Sequence, residues 1–306
     1  MTTRAMGPMA GFHWLKQAIN LGGANPRAII GAAALLMVVA LVPTVLQLLL
    51  QNVMGITSQG VAFALVGFSL LYSLLVMPPL TAGYLRIIHA TETGAPTRAG
   101  AIFDAFQAGS GAPRVIGLVL LLLVLGIAMF GVIAAVFGGD FFLEIAAMMT
   151  AMETAAPGAT PELPQLPSGF GTLMAVLFVV GLFFNGVYAI SIGQVALTGR
   201  SVGGAFADGI LGALKNLLPL LVLLLVGIVA GLIVILVLVL VVGLLMMLGS
   251  LVHPALGVAL AAPVYLGAMV LLYVVMFGVM YFMWRDVCAD GTPAQDGNDR
   301  DHQVAA

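Results

Sequence analysis

Side chains able to do acid–base, nucleophilic or metal chemistry are scarce in this chain and stand in the wrong places for it. The 306 residues carry ten Lys and Arg, twelve Asp and Glu, four His and one Cys. No charged residue or histidine falls inside the long apolar runs, whereas intramembrane enzymes and proton-coupled pumps place Asp, Glu, His or Lys there. There is no His-Glu-x-x-His and no phosphate loop, and Gly67-Phe68-Ser69-Leu70-Leu71 lacks the last glycine of a serine elbow. Asn25-Pro26-Arg27 occurs once, at the start of an apolar run, and reads as a helix start rather than one of a water channel's paired Asn-Pro-Ala turns. Met148, Met149 and Met152, with His253, are soft donors of the kind that suit Cu(I), but methionine more often fills apolar gaps. No catalytic residue, cofactor site or metal site is expected, and the chain is not read as an enzyme.

What collects inside the apolar runs is polar but uncharged. Thr44, Gln47 and Gln51 share one helical face, and Ser69, Tyr72 and Ser73 share another. Asn185 and Tyr188, with Ser191 and Gln194, add polar groups spread around a later helix. Inter-helix hydrogen bonds are the plain expectation for them, and a solvated substrate path is the alternative. Pro78-Pro79 favours the path, because neither proline donates to the carbonyls of Leu74 and Leu75; a simple kink is the other outcome. Pro43 carries the same alternatives. Gly227 and Gly231 form a small-xxx-small surface for close helix approach, within the bundle or between copies of the chain.

The elements that must position these groups are set by composition. Apolar residues make up 62% of the chain and charged residues 7%, with a mean hydropathy of +1.19, leaving too little polar surface for a water-soluble fold. Net charge is -2 and the basic residues are scattered singly, so nucleic acid is not an expected partner. Runs long enough to cross about 30 Å of hydrocarbon as helices occur at 28–51, 61–85, 115–137, 171–197, 217–248 and 256–284. Continuous apolar blocks such as 217–248 exclude a β-barrel's alternation. That run would reach roughly 48 Å as one helix, and must tilt, protrude or break near Gly243. The expected fold is therefore all-α and polytopic, with six transmembrane helices.

Direction follows from charge. Arg4, Lys16 and Arg27 precede the first run, Arg86, Arg98 and Arg114 follow the second, Arg200 and Lys215 the fourth, and Arg285 and Arg300 the sixth; the other three connections have no Lys or Arg. The positive-inside rule then puts both termini in the cytoplasm, with the first run an uncleaved anchor. Short amphipathic segments on the cytoplasmic surface precede spans 1, 3 and 5. In the first, His13, Lys16, Gln17 and Asn20 oppose Trp14, Leu15, Ala18 and Ile19. Ile102, Phe103 and Phe106 repeat the pattern with Asp104 on the polar side, as do Phe206, Ile210, Ala213 and Leu214 with Asp208. Three units are expected, each a surface helix and an out-and-back hairpin. The domains are a tail at 1–27, a membrane domain at 28–284 and an acidic cytoplasmic tail at 285–306, expected to be disordered. An acidic outer loop at 138–170 opens with a helix over 140–153 and continues as a proline-rich tether. Cys288, just inside the membrane, cannot form an intramolecular disulfide and is expected to be a reduced thiol usable for labelling.

Gly11 with Trp14-Leu15, then Asn25-Pro26, Pro79-Leu80 with Gly83-Tyr84-Leu85, and Gly94 with Phe103-Asp104-Ala105-Phe106 resemble the YciC-like group of six-helix bacterial inner-membrane proteins. That group is distantly similar to the membrane domain fused to some glycerophosphodiester phosphodiesterases. The resemblance runs over most of 11–285, and its matching positions are glycines, prolines and aromatics, so it brings no catalytic residue. It implies a multi-pass protein of a bacterial inner membrane. The function expected is a non-enzymatic accessory or membrane-organising component, with a permease for a small solute or lipid as the alternative. Its expected partners are the lipid bilayer and either another membrane protein or a second copy of itself.

Overall fold

The computed structural model describes residues 3–23, 25–56, 58–137, 139–154 and 169–288. Among them every regular element is helical. In order these are α1 (Ala10–Asn20), α2 (Pro26–Ala40), α3 (Val42–Leu48) running into a π turn (Leu49–Val53), α4 (Gln59–Leu75), α5 (Met77–Glu92), a 3-10 helix (Ala99–Phe106), α6 (Ala112–Phe137), α7 (Gly139–Thr154), α8 (Phe170–Thr198), α9 (Val202–Lys215), α10 (Leu217–Ser250) and α11 (Pro254–Cys288). Five stretches are long and apolar enough to cross a membrane: Gln59–Glu92, which joins α4 to α5, and α6, α8, α10 and α11. Of the three alternatives for the run at 217–248, a break near Gly243 does not occur, since α10 is one helix of 34 residues. The helix expected at the start of the outer loop is present as α7, and the proline-rich part of that loop lies outside the described residues. The tail expected to be disordered from 285 is instead helical through Cys288 as the end of α11, held by the packing of Val287 and Cys288; 289–306 lie outside the described residues.

The first expected span is not a single helix. It divides at Leu41 into α2 and α3, because Pro43 cannot donate to the carbonyl of Val39. That carbonyl is instead met by the Tyr72 hydroxyl of α4, which donates at 2.7 Å. Asn25 caps α2 by accepting from the Ala28 amide, with Pro26 in the first turn.

All described Arg and Lys residues gather at one end of the bundle, where the connecting segments meet. Arg86 donates to the carbonyls of Ala196 and Ser110, Arg114 to that of Gly199 and Lys215 to that of Thr3. Three connecting segments lie against three helices there by one repeated contact. A Cβ placed on Gly83 of α5 would stand 3.2 Å from the Cβ of Ala105, one on Gly186 of α8 3.1 Å from that of Ala213, and one on Gly278 of α11 2.9 Å from that of Ala18. All three alanines are buried. The 3-10 helix thus packs on the helix before it, α9 does the same, and α1 packs on the last helix, closing the order. Trp14 Nε1 donates to Asp286 Oδ2 at 3.0 Å across that closure, and the Arg4 amide donates to the Val287 carbonyl.

Two details of the surface segments differ from the sequence expectation. On α1 the apolar residues divide: Gly11, Trp14 and Ala18 are buried, while Ile19 is 60% exposed and Phe12 39%. A helix crossing the bundle edge has one apolar strip for protein and a second for its surroundings. On α9, Asp208 is not on a solvent face but buried, for the reason given below.

Burial is concentrated at this basic end. Trp14, Tyr84, Ile88, Ile102, Leu118 and Ile190 are fully enclosed, whereas the most apolar windows of Gln59–Glu92 and α10 bury none of their residues inside the protein. Gly83→Ala should therefore cost about 1–3 kcal/mol, because its Cβ would lie 2.4 Å from the Ile102 carbonyl oxygen. Gly227→Ala, with nothing within 4 Å, should instead gain about 0.5–1 kcal/mol of helix stability. Thermal unfolding in detergent compares the two; a stable Gly83→Ala protein would show that the contact is absent.

Candidate functional site

The polar faces of the first two expected spans meet. Gln47 and Gln51, from α3 and its π turn, and Ser69 and Ser73, from α4, line a cavity of about 310 Å3 with Leu65 and Leu70. The π turn carries Gln51 at the end of α3, where the Met54 amide reaches back to the Leu49 carbonyl. Ser69 donates to the Leu65 carbonyl at 2.8 Å, one turn back on its own helix. Two carboxamides and two hydroxyls give this cavity donors and acceptors for a neutral or zwitterionic group but no proton-transfer group.

Other singled-out residues stand apart from it. Tyr72 is taken up by Val39, and Thr44 is exposed outside the lining. Pro78 and Pro79 are buried at the start of α5. Asn185 is exposed on α8 and Tyr188 half-buried there. Neither Gly227 nor Gly231 faces another helix closely, since a Cβ on either would meet nothing within 4 Å.

A second polar centre lies at the basic end and is built around Gln194, which is fully buried. Its Nε2 donates to Asp208 Oδ2 at 2.9 Å, and its Oε1 accepts from Trp284 Nε1 at 3.3 Å. Arg200 Nη2 donates to the other Asp208 oxygen at 3.2 Å. Arg200 Nε lies 2.6 Å from Oδ2 but off the line of its N–H, so that contact is Coulombic. Glycine makes this approach possible: a Cβ on Gly209 would overlap Ser191, and one on Gly193 would lie 2.4 Å from Trp284 Cγ. Asp208 is thus buried because Arg200 and Gln194 satisfy it, a pairing between α9 and the end of α8 that helical periodicity along α9 alone does not reveal. The available signal was the Gln194, Arg200 and Asp208 sequence around one helix turn-back.

Asn216, 1% exposed, ties the N-terminal segment to the same end. It accepts from the Met6 amide and donates to the carbonyls of Arg4 and Gly212, each at 2.8 Å. Cys288 is buried, 2% exposed, rather than an open labelling position. Among the described residues no group of three or more His, Cys, Asp or Glu is placed to hold a metal ion; His253 instead accepts from the Ala255 amide.

Comparison with protein-family models finds none that matches the chain, and comparisons with curated proteins and with solved structures return no match either.

Asp208→Ala should lower stability by about 2–3 kcal/mol, because Gln194 and Arg200 lose their acceptor in a buried place. Unfolding in detergent measures the loss; an unchanged protein would remove Asp208 from the packing of this end. Maleimide should label Cys288 on the order of a hundredfold more slowly in the folded protein than after denaturation, as followed by mass shift, and fast labelling of folded protein would contradict its burial.

Proposed function

We propose that the protein is a non-enzymatic, multi-pass protein of a bacterial inner membrane, acting as an accessory or membrane-organising component. In this reading α2 and α3 together make a sixth span broken at Leu41, and the basic end, with both termini, faces the cytoplasm. The resemblance to the YciC-like group supports the choice of membrane, and the clustering of basic residues supports the direction.

The observation that carries the reading is the uneven burial. The basic end is packed to full enclosure, yet the apolar windows of Gln59–Glu92 and α10 are wholly unburied by the chain itself. Such surface is covered by lipid or by another membrane protein. A closed end that fixes the spacing of several open apolar helices is a frame for holding those neighbours. Its buried polar groups Gln194, Asp208 and Asn216 are held in internal hydrogen bonds, which suits scaffolding better than turnover.

A permease is the second reading, favoured by one feature, the cavity lined by Gln47, Gln51, Ser69 and Ser73 between α3, its π turn and α4. Purification from native membranes in mild detergent, with mass spectrometry against a tagged unrelated six-span protein, separates the two. The accessory reading expects a membrane protein retained in stoichiometric amount. Retention of one solute or lipid without such a partner, and its loss in Gln47→Ala, would overturn that reading in favour of transport.

A further inference from the structure

A second cavity opens at the basic end, where α1 meets the ends of α5 and α11. Its volume is about 410 Å3, and its polar lining comes from His13, Lys16, Gln17 and Asn20 of α1, Glu92 of α5 and Arg285 of α11, over an apolar floor of Leu21 and Phe282. We propose that this cavity binds the phosphodiester headgroup of an anionic membrane phospholipid. The proposal rests on the basic end being the membrane–water boundary.

Arg285 is held ready by its neighbours. Its guanidinium sits 4.8 Å over the Phe282 ring, its Nη2 donates to Gln17 Oε1 at 3.0 Å, its Nε to Asp286 Oδ1 at 2.9 Å, and Nη1 is 3.8 Å from Glu92. Lys16 makes no ion pair among the described residues. Glu92 and Asp286 both face Arg285, so Lys16 is the cation of the lining with no carboxylate paired to it. A singly charged phosphodiester matches the one unpaired ammonium of Lys16, whereas a dianionic free phosphate would set a second negative charge beside Glu92 and Asp286. Histidine and the two carboxamides supply further donors for phosphate oxygens.

Position argues for a lipid as the source. α1 meets α2 at 105°, so it lies across the span direction, where a headgroup layer would be. The exposed side chains of Phe12 and Ile19 flank Lys16 on the helix surface and offer acyl chains an apolar strip next to the charge. Basic pockets at the cytoplasmic ends of membrane helices recognise anionic headgroups by this combination.

The test is native mass spectrometry of the full chain in detergent, titrated with dioleoyl phosphatidylglycerol and with dioleoyl phosphatidylcholine. Wild-type protein should retain phosphatidylglycerol preferentially. Lys16→Gln, an exposed change that leaves the packing of α1 intact, should reduce that preference about fivefold, the factor one basic residue gives near an anionic surface. Arg98→Gln, an exposed basic residue of the same end outside the cavity, should leave the preference unchanged. Equal losses in both variants would mean diffuse surface charge, and no preference in wild type would mean no site; either overturns the proposal. Displacement of the lipid by millimolar inorganic phosphate would overturn the lipid as the source. A basic end found in the cytoplasm by cysteine mapping, with no lipid preference, would sink the headgroup site alone and leave the membrane reading standing.

Discussion

Close backbone approach at glycine is the constraint on which this structure depends. In a lipid solvent, helices gain little from hiding apolar surface against one another, so association rests on packing distance and hydrogen bonding. Gly83, Gly186 and Gly278 each admit a buried alanine of a connecting segment, and a larger residue at any of them would push that segment away. Because α1 takes the place on α11 that the 3-10 helix takes on α5 and α9 takes on α8, the contacts form a closed round. The N-terminal segment is thereby fixed to the C-terminal helix, as the Arg4 to Val287 and Trp14 to Asp286 hydrogen bonds record.

Those contacts determine where polar groups can be afforded. At the packed end Asp208 and Gln194 can be buried because Arg200, Trp284 and each other lie within hydrogen-bond reach. Away from it the helices separate, and a charge there would have no partner. The polar residues on the long apolar helices of that half are accordingly neutral, and Ser69 bonds to its own helix. Tyr72 shows the same economy from the other side, donating to the one carbonyl that Pro43 leaves without its helical donor.

Composition made the all-helical, membrane-type architecture legible, and five of the six apolar runs fall on the five long apolar helical stretches, as expected where uninterrupted Leu, Val and Ile must satisfy their own backbone groups. Pro43 marked the break of the first run, although its consequence depended on where Tyr72 would fall. The two polar faces were legible one by one, and the cavity that joins Gln47 and Gln51 to Ser69 and Ser73 comes from the packing of α3 beside α4. Asp208 was not legible: its position on an amphipathic helix pointed to solvent, and only the turn-back of α9 on α8 brings Gln194 to it. Ile19 was misplaced for a related reason. Periodicity distinguishes apolar from polar faces but not the apolar residues of α1 that pack on the protein from those, such as Ile19, that stay exposed.

The open half follows from the same geometry. A close glycine contact near one end of a helix fixes its position there and constrains its far end only through its stiffness. The long uninterrupted helix α10 is held near Pro219 and Leu220 by α1 and α8, then meets α11 again at its opposite end, where a Cβ on Gly249 would lie 2.4 Å from the Gly257 Cα. Between these two fixed points most of its large side chains are exposed, and Gly227 and Gly231 stand in that stretch with free space around them. Close packing along α10 is thus set by its two ends, and its most apolar window is left unburied by the chain itself.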